Sequence, residues 1–239
     1  MSRSVFVILI YPFEKSEKTL DIWSKSRENS FIKTILLNLL LNLWRKQMYE
    51  LLVLSLLMRF PLHAYMIAKI ANDTIGPWEK ISRGTLSTLL KKLDKAGLIT
   101  DADQSKVPFP SERPSRVYEI TQSGRERFAQ LMMDTTSNLG NYQRIFEIKS
   151  IHLEFMTKEE QIYLVSHYID YCQKAIHHLQ AQIQEFEDNP DAISHFSDTP
   201  FYSTVNDLIM VRQKQWRTEL EWAQQLREGI MSQIRKEYD

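Results

Sequence analysis

The chain alternates apolar runs with short polar breaks. From Tyr49 to Met58 it is almost wholly apolar, too short to cross a bilayer and long enough for one buried helix, and Pro61 ends the run. Residues from Leu62 to Asn72 then recur at helical spacing, with Tyr65, Ile67, Ala68 and Ile70 as burial candidates. A connection holding Gly76, Pro77 and Trp78 leads into the most informative stretch, Ser82 to Ile99. There Leu86, Leu89, Leu90 and Leu93 fall in one apolar stripe, while Arg83, Ser87, Lys91 and Lys92 lie mostly on the other side. Ser82 is placed to cap the first turn and Gly97 to supply a left-handed stop, so the spacing predicts a helix capped at both ends.

Beyond Gly97, Leu98-Ile99-Thr100 and Arg116 to Ile120 read as two short strands with Leu98, Val117 and Ile120 facing inward. Between them lies a polar tip with Lys106, Pro108, Pro110, Arg113 and Pro114. Three helices, the third basic, followed by a hairpin make a winged helix-turn-helix module. Thr121 caps a further segment through Phe128, Leu131 and Met132 toward Asn141. Thr157-Lys-Glu-Glu160 has the form of a capping box. From there Ile162, Val165, Ile169, Cys172, Ile176, Leu179, Ile183 and Phe186 step by three and four residues to the break at Asn189-Pro190. A last helix runs from about Phe201 past Leu208, Val211, Trp216, Leu220, Ala223, Leu226 and Ile230. Two long amphipathic helices bury a continuous stripe best against a copy of themselves, which predicts a homodimer joined through them. The expected architecture is mainly α with a small β-wing. Residues 48–135 are expected to form a winged helix DNA-binding domain, and 136–239 a helical C-terminal dimerisation and effector domain.

Residues 1–47 do not share this pattern. Val5 to Tyr11 is a short β-prone run, and Phe31 to Trp44 is an apolar run broken by Lys33, Asn38 and Asn42. Neither is long enough for a bilayer span, and no small-residue cleavage site follows the first. The segment reads as an N-terminal extension outside the native fold, with Met48 as a second start; the alternative is an amphipathic helix from Phe31 to Lys46 that packs on the domain or on a membrane surface.

Composition changes this picture in one respect. The 239 residues carry 30 basic and 30 acidic side chains, for a net charge of zero. Residues 48–127 nonetheless hold 12 Lys+Arg against 9 Asp+Glu, and residues from 128 onward hold 10 against 17. A weakly basic module beside an acidic one fits a protein that meets a polyanion with one part only, although the helix pattern carries that case. The single cysteine, Cys172, excludes an intrachain disulfide and makes a reducing cytoplasm the default.

The exposed face of the basic helix sets small hydroxyls near its start and cations further along. That arrangement puts Arg83, Thr85 and Ser87 nearest base edges, with Thr88 beside them and Lys91 and Lys92 on phosphates. Ser82 sits at the head of the same face. Tyr65 either contacts a phosphate from the second helix or packs, and Arg113 and Arg116 in the wing reach toward the minor groove or backbone, Arg116 being also a candidate for an ion pair. Against this stands the plain reading of a solvated helix face in a helical interaction module whose winged helix docks a protein instead. His177 and His178 point about 100° apart on a helix and cannot share one ion, so no metal or other cofactor is expected. With six glycines there is no phosphate-binding Gly-rich loop, no nucleophile elbow and no HExxH pair, so an enzyme is not expected.

His63-Ala64-Tyr65 with Ile67, then Trp78, then Ser82-Arg83-Gly84-Thr85-Leu86 with Leu89, Leu93 and Gly97-Leu98-Ile99, then Arg116-Val117-Tyr118 and Ile120-Thr121 with Gly124, resemble in this order the PadR family of bacterial transcriptional regulators. The likeness extends more loosely through Trp216, Glu219, Trp222 and Ala223. It implies a homodimeric repressor that binds a palindromic promoter site on double-stranded DNA and lets go when a small molecule arrives, with phenolic acids as the effector class of the phenolic-acid-responsive subgroup. An aromatic site for such a ligand would draw on Trp78, Phe128, Phe146, His152, Phe155 and Tyr168.

Overall fold

The computed structural model describes residues 47–76, 80–108, 115–188 and 200–238. The extension 1–47, save Gln47, thus lies outside the described residues, as do Trp78 and Arg113. The chain forms two compact units that divide between Ser150 and Ile151, so residues 136–150 pack with the first unit rather than with the long helices.

The first unit begins with helix α1 (47–57), whose Leu51, Leu52, Val53 and Leu54 are almost fully buried. Leu62–His63 form a two-residue strand, β1, where continuous helix was expected, and α2 (Ala64–Ile75) starts only after it. Ile67 and Ala71 are its buried residues, while Tyr65 turns outward at 40% exposure. Next comes α3 (Arg83–Lys95), with Leu86, Leu90 and Leu93 buried and Leu89 half-buried. Strand β2 (Ile99–Asp101), a 3-10 turn at Gln104–Lys106 and strand β3 (Val117–Ile120) form the wing. The three strands lie antiparallel in the order β1-β3-β2, with His63 opposite Val117 and Ile99 opposite Ile120. Inward residues are Ile99, Val117, Tyr118 and Ile120, with Leu98 only half-buried.

Helix α4 (Gln122–Met133) is capped by Thr121, whose hydroxyl accepts from Gly124 N at 3.0 Å and donates to Gly97 O at 2.6 Å. Gly124 lies so close to the chain leaving α3 that a Cβ there would overlap Leu98 O and come 2.7 Å from Ile120 Cγ1. Glycine is needed here for space. Helix α5 (Tyr142–Ile151), not foreseen as a separate element, buries Tyr142, Phe146, Ile148 and Lys149. Lys149 is fully buried; its Nζ donates to Asp134 O at 2.6 Å and lies 5.3 Å from the Tyr142 ring centroid.

The second unit is an antiparallel pair, α6 (Lys158–Asp188) and α7 (Pro200–Tyr238). Its direction follows from the Lys158–Gln233 and Tyr168–Glu219 hydrogen bonds, 2.6 and 2.8 Å. The capping box closes reciprocally: Glu160 N donates to Thr157 Oγ1 at 3.3 Å and Thr157 N to Glu160 Oε2 at 2.9 Å. On α6 the expected stripe is buried at Val165, Ile169, Cys172, Ile176 and Leu179. On α7 the inner seam is Ile209, Gln213, Ala223 and Ile230, whereas Leu208 and Val211 of the expected stripe are exposed in the single chain together with Met210, Trp222 and Met231.

Candidate nucleic-acid interface

The site is built around α3. Ser82 Oγ accepts from Thr85 N at 3.1 Å, satisfying a donor the first turn would otherwise leave open. At the other end Gly97 takes φ 70°, and the bonds Leu98 N to Leu93 O (3.0 Å) and Gly97 N to Asp94 O (2.9 Å) close a Schellman stop. Both ends are therefore fixed by local chemistry.

The helix is also pinned from behind. The Asn72 side chain, in the last turn of α2, accepts from Ile81 N at 2.7 Å and donates to Ile81 O at 3.3 Å and to Ala68 O at 2.9 Å. It treats Ile81 as a neighbouring strand would, setting the point at which the chain enters α3. Sequence reasoning missed this residue; the signal was an amide side chain one turn from a helix end, ahead of a turn.

With the leucines of α3 inward, Arg83, Thr85, Ser87, Thr88, Lys91 and Lys92 all lie exposed. Two of the hydroxyls are already used: Thr85 Oγ1 is 2.9 Å from Ser82 Oγ, and Thr88 Oγ1 donates to Gly84 O at 2.9 Å. Among the described residues no carboxylate pairs with Arg83, Lys91 or Lys92. A helix face with its cations unpaired and its two ends fixed can meet phosphates with Lys91 and Lys92 while Arg83 and Ser87 face base edges.

Tyr65 stands exposed at the start of α2 and stacks on His63, centroids 5.6 Å apart. His63 is buried, and its Nδ1 lies 2.9 Å from Ser115 Oγ at the root of the wing. Arg116, by contrast, is engaged: Nε donates to Asp101 Oδ1 at 2.5 Å, and Nη2 to Asp101 Oδ2 at 2.7 Å and to Asp94 Oδ2 at 3.2 Å. Its guanidinium also lies 5.2 Å from the Tyr118 ring centroid. The hydrogen bonds from Arg116 hold the Asp101 carboxyl below the usual carboxylate range. Lys106 pairs with Glu119 at 3.2 Å.

The described effector candidates are divided between the two units. Phe128 is core of the first unit. In the second unit His152 is buried and stacks on half-buried Phe155, centroids 6.2 Å apart. Tyr168 is buried in the α6–α7 seam, donates to Glu219 and meets Trp222 edge-on at 6.2 Å. A cavity in the first unit lined by Gln47, Met48, Leu51, Leu131, Asp134, Ser137 and Ile145 measures about 20 Å³, room for a water rather than an aromatic acid. Phe128 and Phe146, the described candidates of this unit, do not line it.

Helices α1 to α3 and the three-stranded sheet define the first unit as a winged helix-turn-helix. Residues 53–130 match the model of the transcriptional regulator PadR-like family. Solved structures with which the chain aligns include Bacillus subtilis PadR in complex with operator DNA, at 16% identity over 76% of this chain and 98% of that one, TM-score 0.31. The same protein in complex with p-coumaric acid aligns at 15% identity over 77% and 98%, TM-score 0.30. The Vibrio cholerae virulence activator AphA aligns at 16% identity over 77% and 99%, TM-score 0.31. No curated protein sequence matches the chain. Among the described residues no helix is long and apolar enough to cross a membrane.

Proposed function

We propose that the chain is a dimeric, sequence-specific DNA-binding transcriptional regulator that represses its target until a small aromatic acid releases it. The observation that carries the DNA reading is the outer face of α3: capped at both ends, backed by buried leucines, and fronted by Arg83, Ser87, Lys91 and Lys92. Pairing of two copies is supported by α7, whose Leu208, Val211 and Trp222 leave an exposed apolar face that a second copy would cover. Two copies present two such helices, as a palindromic operator requires. Repression and release by a phenolic acid rest on the resemblance to PadR regulators, with His152 and Phe155 as the paired rings to examine first.

Titration of the promoter of its own gene and of random duplex, at several salt concentrations and with and without p-coumaric acid, tests the DNA and effector readings. Affinity should fall steeply with salt, by about one counterion per phosphate contact. Lys91→Ala should weaken both duplexes alike, whereas Ser87→Ala should narrow the gap between them. Salt-insensitive binding to a protein partner without any DNA affinity would refute the reading in favour of an interaction module.

A further inference from the structure

The three-membered ion pair at the wing root is not accounted for by DNA contact alone. Asp94 lies about three helical turns after Arg83 and about two after Ser87, so it closes the same edge of α3. Asp101 ends β2, and Arg116 precedes β3. Without a partner, the carboxylates of Asp94 and Asp101 would stand at the junction of α3 and the wing, beside the helix face that the DNA reading assigns to phosphates. Arg116 covers both: its planar fork grips Asp101 with two parallel bonds, and the same Nη2 reaches Asp94. Arg116 O also accepts from Ala64 N at 3.0 Å, and Ala102 N donates to Val117 O at 3.1 Å, so the backbone that carries the guanidinium is held at the sheet.

We propose that Arg116 is a positioning and charge-masking residue for DNA binding, tying the end of α3 to the wing and keeping two carboxylates from repelling phosphates, rather than a phosphate ligand. This rests on the DNA reading above. A lysine could neutralise one carboxylate but could not make the paired bonds to Asp101 while reaching Asp94. The depressed Asp101 carboxyl is consistent with that grip.

The test compares Arg116→Ala, Arg116→Lys, the Asp94→Asn/Asp101→Asn double variant and the triple variant with Arg116→Ala added, each checked for native circular dichroism. Arg116→Ala should lose roughly ten-fold in affinity for operator and random duplex alike, with the loss shrinking as salt screens the bared carboxylates, and Arg116→Lys should recover part of that loss. In the Asp94→Asn/Asp101→Asn background the same substitution should change affinity by less than about three-fold. In the free protein, Arg116→Ala and the Asp94→Asn/Asp101→Asn pair should shift Tm non-additively. A full loss that persists in the asparagine background would mark a direct phosphate contact and overturn the inference. A wild-type protein without DNA affinity would overturn the reading beneath it as well, which the wild-type titration shows separately.

Discussion

Lys149 offers the sharpest energetic test of the first unit. Its ammonium is fully buried on α5, held by one backbone carbonyl at Asp134 and facing the Tyr142 ring. Burial pulls its pKa from 10.5 down to about 8, against a smaller upward pull from the Asp134 carboxylate. The unfolded chain therefore binds a proton between about pH 8 and 10.5 that the folded chain has released, so stability rises with pH across that window. At 1.36 kcal/mol per unit the full effect is about 3 kcal/mol, of which roughly 2.5 kcal/mol falls between pH 7 and 10. The neutral amine still donates to Asp134 O, so the contact survives the loss of the proton. Lys149→Met removes the titration but leaves that carbonyl without its partner, a cost of about 1–3 kcal/mol that is independent of pH. Denaturant unfolding of both proteins at pH 7, 8, 9 and 10 separates the two contributions. The wild type should gain roughly 2–3 kcal/mol on the variant as pH rises. A difference that stays constant to within about 0.5 kcal/mol would refute the buried-cation argument.

Three further outcomes follow from the packing around α3. Gly124→Ala should cost at least about 3 kcal/mol and lower Tm, because the added methyl meets the Leu98 backbone rather than a movable side-chain end; a loss under about 1 kcal/mol would show that α4 can slide. Asn72→Ala removes three hydrogen bonds and strands both polar groups of Ile81, so it should cost about 2–3 kcal/mol by denaturant unfolding and weaken DNA binding; an unchanged operator affinity would count against its role in aiming the helix. Ser82→Ala should cost about 1 kcal/mol and raise amide exchange at Thr85, with Ser82→Asp restoring most of the loss.

What could be read in the sequence was local. The leucine stripe of α3, its Ser82 cap and Gly97 stop, and the Thr157 box each depend on residues within a turn or two of one another. Strand β1 could not be seen, since Leu62 and His63 are a strand only because β3 lies beside them, and two residues carry no period. The inner face of α7 is left open by the sequence for a related reason. Leu208-Ile209-Met210-Val211 is apolar on all sides, so the choice between Leu208 and Ile209 for the inner seam depends on how α6 lies against it. Tyr65 belonged to neither pattern alone, being aromatic yet turned out by its stack on His63. Asn72 and the Asp94–Arg116–Asp101 tie join positions far apart in the chain, and charge counting does not reveal which acid meets which base.

The order β1-β3-β2 also bears on how the protein behaves when crowded. The one four-residue strand sits in the middle with both edges occupied, and the outer strands are two and three residues long. So short a rim gives an intruding chain almost no backbone to zip onto, which guards against fibre-like stacking. Self-association is thereby steered away from the wing.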